Sequence, residues 1–369
     1  MKIDDKTSHN SPSLRFPEFT GEWENKRIGD IGKFFSGGTP SSSRKDFYGG
    51  EIPFIRSGEI HSDKTERFLT QEGYTNSSAK RVEVGDILLA LYGANSGDIS
   101  ISQMRGAINQ AILCIRTNVA PVFFKSVWEK HAQKILNTYL QGGQGNLSAD
   151  IVKKITISIP SQIEQAKLAA LFSHLDERIS IQNRLIDRLQ SLMIGIAQKI
   201  AHSNKPNVRI SDCLECSSSA LQESEVNKTG KYPVYGANGI VGYIDKYHTQ
   251  NEAIYIIKDG SGVGGVSYVT GKCSSTGTLN ILQAKNGHSL KYLYYLLKVF
   301  NFVPYKTGMA IPHIYFKDYG KAKIFCPAYP EQLEYAKLLS SIDGNLRIAL
   351  DSLKNFNLQK QYLLRHMLI

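Results

Sequence analysis

Ile159–Ile179 reads IPSQIEQAKLAALFSHLDERI, and Cys326–Leu346 reads CPAYPEQLEYAKLLSSIDGNL. At an offset of 167 positions, Pro160 falls on Pro327, Glu164 on Glu331 and Gln165 on Gln332. Ala169, Leu171, Ser173 and Asp176 then fall on Ala336, Leu338, Ser340 and Asp343, with no gap from there onward. Similarity at one long period marks two copies of one structural unit. Each copy begins a helix just after a proline, where helix starts are favoured. In the first copy Leu175, Ile179, Ile186, Leu189, Met193, Ile196 and Ile200 recur at alternating spacings of three and four, interrupted at Gln182. In the second, Ile342, Leu346, Ala349, Leu353, Phe356, Leu363 and Met367 keep the same register, interrupted at Lys360. An apolar repeat of about 3.5 residues is the seam of a coiled coil. The two long helices are therefore expected to pack on each other, with Gln182 and Lys360 helping to fix register.

Working outward, a globular block precedes each helix. The blocks open alike, with RIGD at Arg27–Asp30 and RISD at Arg209–Asp212. The predicted plan is a flexible tail over 1–20, in which Leu14, Phe16 and Phe19 are candidates to dock. A first block over 21–159 and a helix over 160–204 follow, then a second block over 205–326 and a helix over 327–369. Lys205-Pro206 marks a linker. In block one, Ile52–Ile60, Val84–Gly93 and Ile108–Arg116 read as strands, Phe123–Leu140 as a helix, and Gln141–Ser148 as a glycine-rich turn. Block two repeats this order, with strands in Tyr232–Tyr247 and Ala253–Val269 and a helix at Leu290–Phe300. Strands with one helix set among them predict an α+β fold in each block.

The 369 residues, 41% hydrophobic and 21% charged, suit two or three folded domains and exclude a disordered or collagen-like chain. The net charge of +11 points to a polyanionic partner. Residues 1–159 carry 20 basic and 17 acidic side chains, and residues 205–326 carry 14 and 8, whereas each helix segment is nearly neutral. The polyanion surface therefore belongs to the blocks, and an amphipathic basic helix of the membrane-binding kind is missing. No apolar run spans a membrane. The polar start, MKIDDKTSHNSPS, is no signal peptide, and the five cysteines read as reduced thiols of a cytoplasmic protein.

Catalytic motifs are largely excluded. Gly260, Gly262 and Gly265 match G-x-G-x-x-G, but VSYVT follows where a phosphate-binding helix is required, so a hairpin loop is expected. Cys213 and Cys216 form one C-x-x-C without two further ligands at short spacing, and no metal site is expected from it. There is no P-loop, H-E-x-x-H or G-x-S-x-G. What remains are polar, glycine-rich loops: GANSGD at Gly93–Asp98, GANG at Gly236–Gly239 and SSTGT at Ser274–Thr278. Such loops offer backbone amides to phosphates and polar side chains to base edges. The base-reading candidates are Arg56, Ser57, Asn95, Asn109 and Gln110 in block one, and Asn238, Lys258, Ser261, Thr276 and His313 in block two.

Several stretches together resemble the specificity (S) subunit of type I restriction-modification enzymes. They are LRFPEFTGEWENKRIGDIGKFFSGGTP (Leu14–Pro40), IPFIRSGEI, VGDILLALYGANSGD, QGGQGNLSADIVKKITISIPSQIEQ and YPVYGANGIVGYID, with the duplicated proline, Glu-Gln and helix pattern. The resemblance implies two target recognition domains, each reading half of a split, asymmetric DNA target. It implies long helices packed antiparallel as a spacer. It also implies two methyltransferase (M) subunits that methylate adenine with S-adenosylmethionine, and restriction (R) subunits using ATP and Mg. This chain would itself be non-catalytic and carry no cofactor. The stretch Gly308–Asp318, GMAIPHIYFKD, departs from the QGGQGNLSAD pattern of block one. The rival readings are a coiled-coil adaptor without DNA contact and a DNA-modifying enzyme with an unrecognised site.

Overall fold

The computed structural model describes residues 10–140 and 146–369. Two long helices run over Gln162–Ala201 and Tyr329–Met367, 40 and 39 residues, or ~60 Å each at 1.5 Å per residue. The chain divides into two compact units, residues 1–182 with 352–369 and residues 183–351. Each unit thus holds one block and half of each long helix, a division that runs through the helices rather than at their ends.

In the first unit, Leu168, Phe172 and Leu175 share a core with Leu364, Met367 and Leu368. The beginning of the first helix therefore packs with the end of the second, which requires antiparallel packing. Ile179, Gln182, Leu353 and Phe356 are half-buried along the same seam. In the second unit Ile186, Met193, Ile342 and Leu346 are buried and Leu189 is half-buried. Lys360 occupies its seam position because counter-charges face it. Its Nζ lies 2.7 Å from both Glu129 and Asp176, and Lys125 Nζ lies 2.6 Å from Asp176. Burial pushes the Asp176 carboxyl up, but hydrogen bonds from Lys125 and Lys360 outweigh it and hold the group below its ordinary range.

The two blocks repeat one α+β topology. In the first, a four-stranded antiparallel sheet has the order Gly32–Ser36, Ile112–Thr117, Ile87–Ala90, Ile99–Ile101. In the second the order is Leu214–Ser218, Leu279–Ala284, Glu252–Ile257, Val266–Thr270. The registers agree, Gly32 facing Thr117 and Leu214 facing Ala284. Each block adds one parallel pair, Tyr48–Ile55 with Gly106–Ile108 and Tyr232–Gly236 with Ser274–Ser275. A short antiparallel pair closes each: Glu24–Arg27 with Thr156–Ile159, and Val208–Arg209 with Lys323–Ile324. The helix Pro121–Leu140 buries Phe123, Phe124, Val127 and Trp128 in the first core.

Three predicted strands of block one are shorter than the apolar pattern suggests, and Val84–Gly93 is a strand only over Ile87–Ala90. Ile108–Arg116 is broken at Asn109, whose Oδ1 accepts from the Ala111 N–H at 3.2 Å and turns the chain. The strand from Ile52 ends at Ile55, because Arg56 and Glu59 cap a single 3-10 turn over Ser57–Glu59. The expected tail is held where it is described. The Leu14 N–H donates to the His366 carbonyl, Arg15 makes a bidentate pair with the buried Glu164 at 2.7 Å, and Phe16 packs on the core. Residues 1–9 lie outside the described residues.

The duplicated glutamine explains why the repeat is written as it is. Gln165 Nε2 donates to the Pro160 carbonyl at 2.9 Å, and its Oε1 accepts from the Ala120 N–H at 3.1 Å, just before the block helix. Gln332 does the same to Pro327 and to Ser289, the N-cap of the helix Leu290–Val299, both at 2.8 Å. Both glutamines are buried. Gln332→Ala strands a buried donor and acceptor, so it is expected to cost about 1–3 kcal/mol, read as lost hydrogen-exchange protection at Ser289–Tyr292. Lys360→Ala leaves two carboxylates with one cation in a partly exposed site. A loss of about 1–3 kcal/mol in denaturant unfolding is expected, with part recovered when Asp176→Asn is added.

Candidate nucleic-acid interface

In the first unit the parallel pair brings four polar candidates to one strand end. Arg56 and Ser57 follow Ile55, and Asn109 and Gln110 follow Ile108. The Asn109 N–H donates to the Ile55 carbonyl at 3.3 Å. Asn95, from the GANSGD loop, joins them through Nδ2 to the Ser57 carbonyl at 3.4 Å. The Ser36–Pro40 loop closes in behind. A Cβ on Gly37 would stand 1.8 Å from the Ile108 carbonyl oxygen, so only glycine allows this approach. Gly38 N–H donates to that same carbonyl, and the Thr39 hydroxyl donates to Gln110 Oε1.

Arg56 is oriented rather than free. Its Nε and Nη2 donate to Glu59 at 3.0 and 2.7 Å, and Glu59 also accepts from the Arg56 N–H and the Thr65 hydroxyl. The Arg56 guanidinium chiefly, helped by backbone N–H groups, holds the Glu59 carboxyl down to about 2. Sequence reasoning passed over exposed Lys80, which sits across the ladder from Ile108, and Arg81, which stacks on Tyr74 at 4.7 Å. Pairing across strands from distant segments was the signal needed, and sequence spacing does not carry it.

In the second unit the same positions carry other side chains. Gly236 ends the strand Tyr232–Gly236, and Ala237 leads on to Asn238, which is exposed in the hairpin turn. The Thr276 N–H donates to the Tyr235 carbonyl at 2.9 Å, as Asn109 does to Ile55. Thr276 itself is corrected as a base reader. It is 3% exposed, its hydroxyl bonded to Thr278 at 2.8 Å, because the chain turns inward there to start the strand Leu279–Ala284. Gly260–Gly265 forms the hairpin loop expected, with Gly260 and Gly264 at φ of +97° and +91° and a strand following. Ser261 is exposed on it.

Lys258, Asp259 and His313 form a second polar group beside that loop. Asp259 lies 3.1 Å from Lys258 Nζ and 2.7 Å from His313 Nδ1. The divergent Gly308–Asp318 stretch is what delivers His313. Its Ile314 N–H donates to the Lys258 carbonyl at 2.9 Å, and Leu147 N–H donates to the Leu91 carbonyl at 2.9 Å. The two segments are therefore equivalent in frame despite unlike sequences, and exposed Asn146 corresponds to His313. Residues 141–145 of the QGGQGNLS turn lie outside the described residues.

Two mixed α+β blocks on duplicated long helices, with matching frames and differing strand-end loops, define a repeated recognition scaffold. The family model described as Type I restriction modification DNA specificity domain matches residues 20–191 and again 203–355, and the chain belongs to that family. The MjaIX specificity subunit of Methanocaldococcus jannaschii is 28% identical over 185 residues, covering 46% of this chain and 42% of the relative. The HindI specificity subunit of Haemophilus influenzae is 28% identical over 185 residues, covering 47% and 40%. The chain thus spans less than half the length of these curated relatives. The crystal structure of the type I S subunit from M. genitalium shares the fold at 16% identity and a TM-score of 0.71, covering 97% of this chain and 99% of that one.

The folded Glu59 value lies below its unfolded one. Its contribution to the Arg56 loop is therefore complete above pH about 4.5 and is lost as pH falls toward about 2. Protection factors of the Ser57–Glu66 amides, relative to intrinsic exchange at each pH, are expected to fall over that range, and Glu59→Gln should show the lowered protection already at neutral pH.

Proposed function

We propose that this chain reads DNA for a type I restriction-modification complex, each block reading one half of a bipartite target. The observation that carries this is one frame filled with two side-chain sets. Arg56, Ser57, Asn109 and Gln110 stand where the second block has Gly236, Ala237, Thr276 and Gly277. Two readers with equal frames and unequal loops call for two unequal half-sites. The excess of basic side chains in the blocks supports phosphate contact. In block one the readers are Arg56, Ser57, Asn95, Asn109 and Gln110. In block two they are Asn238, Lys258, Ser261 and His313.

The chain supplies recognition and no chemistry. Two M subunits would methylate adenine with S-adenosylmethionine, and R subunits would add ATP- and Mg-dependent cleavage, all in the cytoplasm. Among the described residues, no helix is long and apolar enough to cross a membrane. The paired helices serve as the spacer between the half-sites.

Co-expression with the cognate M subunit in a methylation-free host, followed by long-read mapping of modified adenines, tests this reading. A split, asymmetric motif with one modified adenine on each strand is expected. An assembled complex that modifies nothing, or binding that is insensitive to salt, sinks it in favour of an adaptor. Four residues inserted near Ser180 add ~6 Å of helix. They are expected to widen the unread gap by one or two base pairs and leave both half-sites unchanged.

A further inference from the structure

Three side chains of the second unit converge from distant parts of the chain. Cys213 ends the short helix Ile210–Cys213, His288 sits two residues before the helix Leu290–Val299, and Cys326 immediately precedes Pro327. Their ligand atoms, two Sγ and one ring nitrogen, all lie within 4.8 Å of one another. Cys213 is fully buried, Cys326 is 8% exposed, and His288 is half-buried, so the group is open to solvent on the histidine side. Cys216, the other half of the C-x-x-C, is not a member.

The first repeat provides an internal control. Cys213 follows RISD as Ile31 follows RIGD, and Cys326 precedes Pro327 as Ile159 precedes Pro160. His288 precedes Ser289, whose N–H meets Gln332, as Val119 precedes Ala120, whose N–H meets Gln165. Val119 and Ile159 belong to the first core, and Ile31 packs against it. The frame therefore asks only for apolar bulk at these three places. The second repeat puts a metal-ligating side chain, thiol or imidazole, at all three.

The surroundings hold those ligands in place. Asn207 grips the Cys326 backbone twice, Nδ2 donating to its carbonyl and Oδ1 accepting from its N–H, both at 2.8 Å. The Cys213 carbonyl accepts from the Lys285 N–H at 2.8 Å, and Lys285 Nζ donates to Ser211. His288 Nδ1 lies 3.2 Å from the Asn286 carbonyl. Donation there leaves the lone pair on Nε2, the outer-shell arrangement of metal-bound histidines.

We propose that Cys213, His288 and Cys326 bind one soft divalent cation, zinc by the chemistry of the donors. Two thiolates and one imidazole coordinate it, and a water takes the open fourth position. Binding displaces two protons from the thiols to solvent, and the two thiolates neutralise the ion. The ion ties the short helix Ile210–Cys213, the entry of the block helix and the foot of the second long helix into one cluster.

Titrating the full chain, thiol-reduced and stripped by chelator, with Co²⁺ tests the proposal without DNA or partner subunits. One equivalent is expected to give thiolate-to-cobalt absorption in the near ultraviolet and tetrahedral bands in the visible, both abolished by Zn²⁺. The triple change Cys213→Ile, His288→Val, Cys326→Ile restores the side chains of the first repeat, and should fold yet give no bands. His288→Ala alone, at a half-buried turn, should weaken Co²⁺ by about 100-fold or more. Reduced wild-type chain without a thiolate band overturns the proposal. So do bands that persist in the triple variant, or an unchanged affinity in His288→Ala.

Discussion

A buried glutamine at the foot of each long helix ties together three separate pieces of chain. Gln165 and Gln332 each accept from the backbone where the block helix begins and donate to the proline carbonyl where the block's last strand ends. Both amide ends are out of water, so neither bond can be exchanged for solvent without cost. The direction in which each long helix leaves its block is set here. The seam residues face their partner only if that direction is right.

Along the seam, the physics differs from level to level. Most positions are buried or half-buried apolar side chains, which give adhesion but little choice of register. Lys360 gives choice. Its ammonium has a favourable place only where Asp176 and Glu129 supply charge, and Lys125 keeps those two carboxylates from repelling each other. A shift by one turn would bury the ammonium without either partner, a large penalty in a site of low solvent access. At the aligned position in the first helix stands Met193, buried in the second unit, so the two halves of the seam are not interchangeable.

Much of this was readable from the sequence, and the misses share a cause. The duplicated helix, its apolar register and the order of elements in each block are local patterns, and local patterns survive in one dimension. The break of the strand at Asn109 depends on one side-chain bond to Ala111, which a run of apolar residues hides. The burial of Thr276 depends on how the chain re-enters a sheet. The docking of Arg15 depends on Glu164, 149 positions away. The Cys213, His288 and Cys326 group is of the same kind: ligand spacing along the chain misled, because the three ligands are neighbours through the fold. The alignment of the two repeats held the better clue, with Ile31 and Ile159 matched to two cysteines.

Each block begins and ends on adjacent, antiparallel strands. Glu24 faces Ile159 at the edge of the first, and Val208 faces Ile324 at the edge of the second. A segment whose two ends lie side by side behaves as a cassette. It can be cut out and replaced by another of the same frame without altering the path of the chain on either side. The backbone bonds that hold the loops, Leu147 to Leu91 and Ile314 to Lys258, lie inside the cassette and travel with it. Recombination at the paired edge strands of one block would exchange a whole set of loops in one event, and the scaffold would register no change in its own geometry.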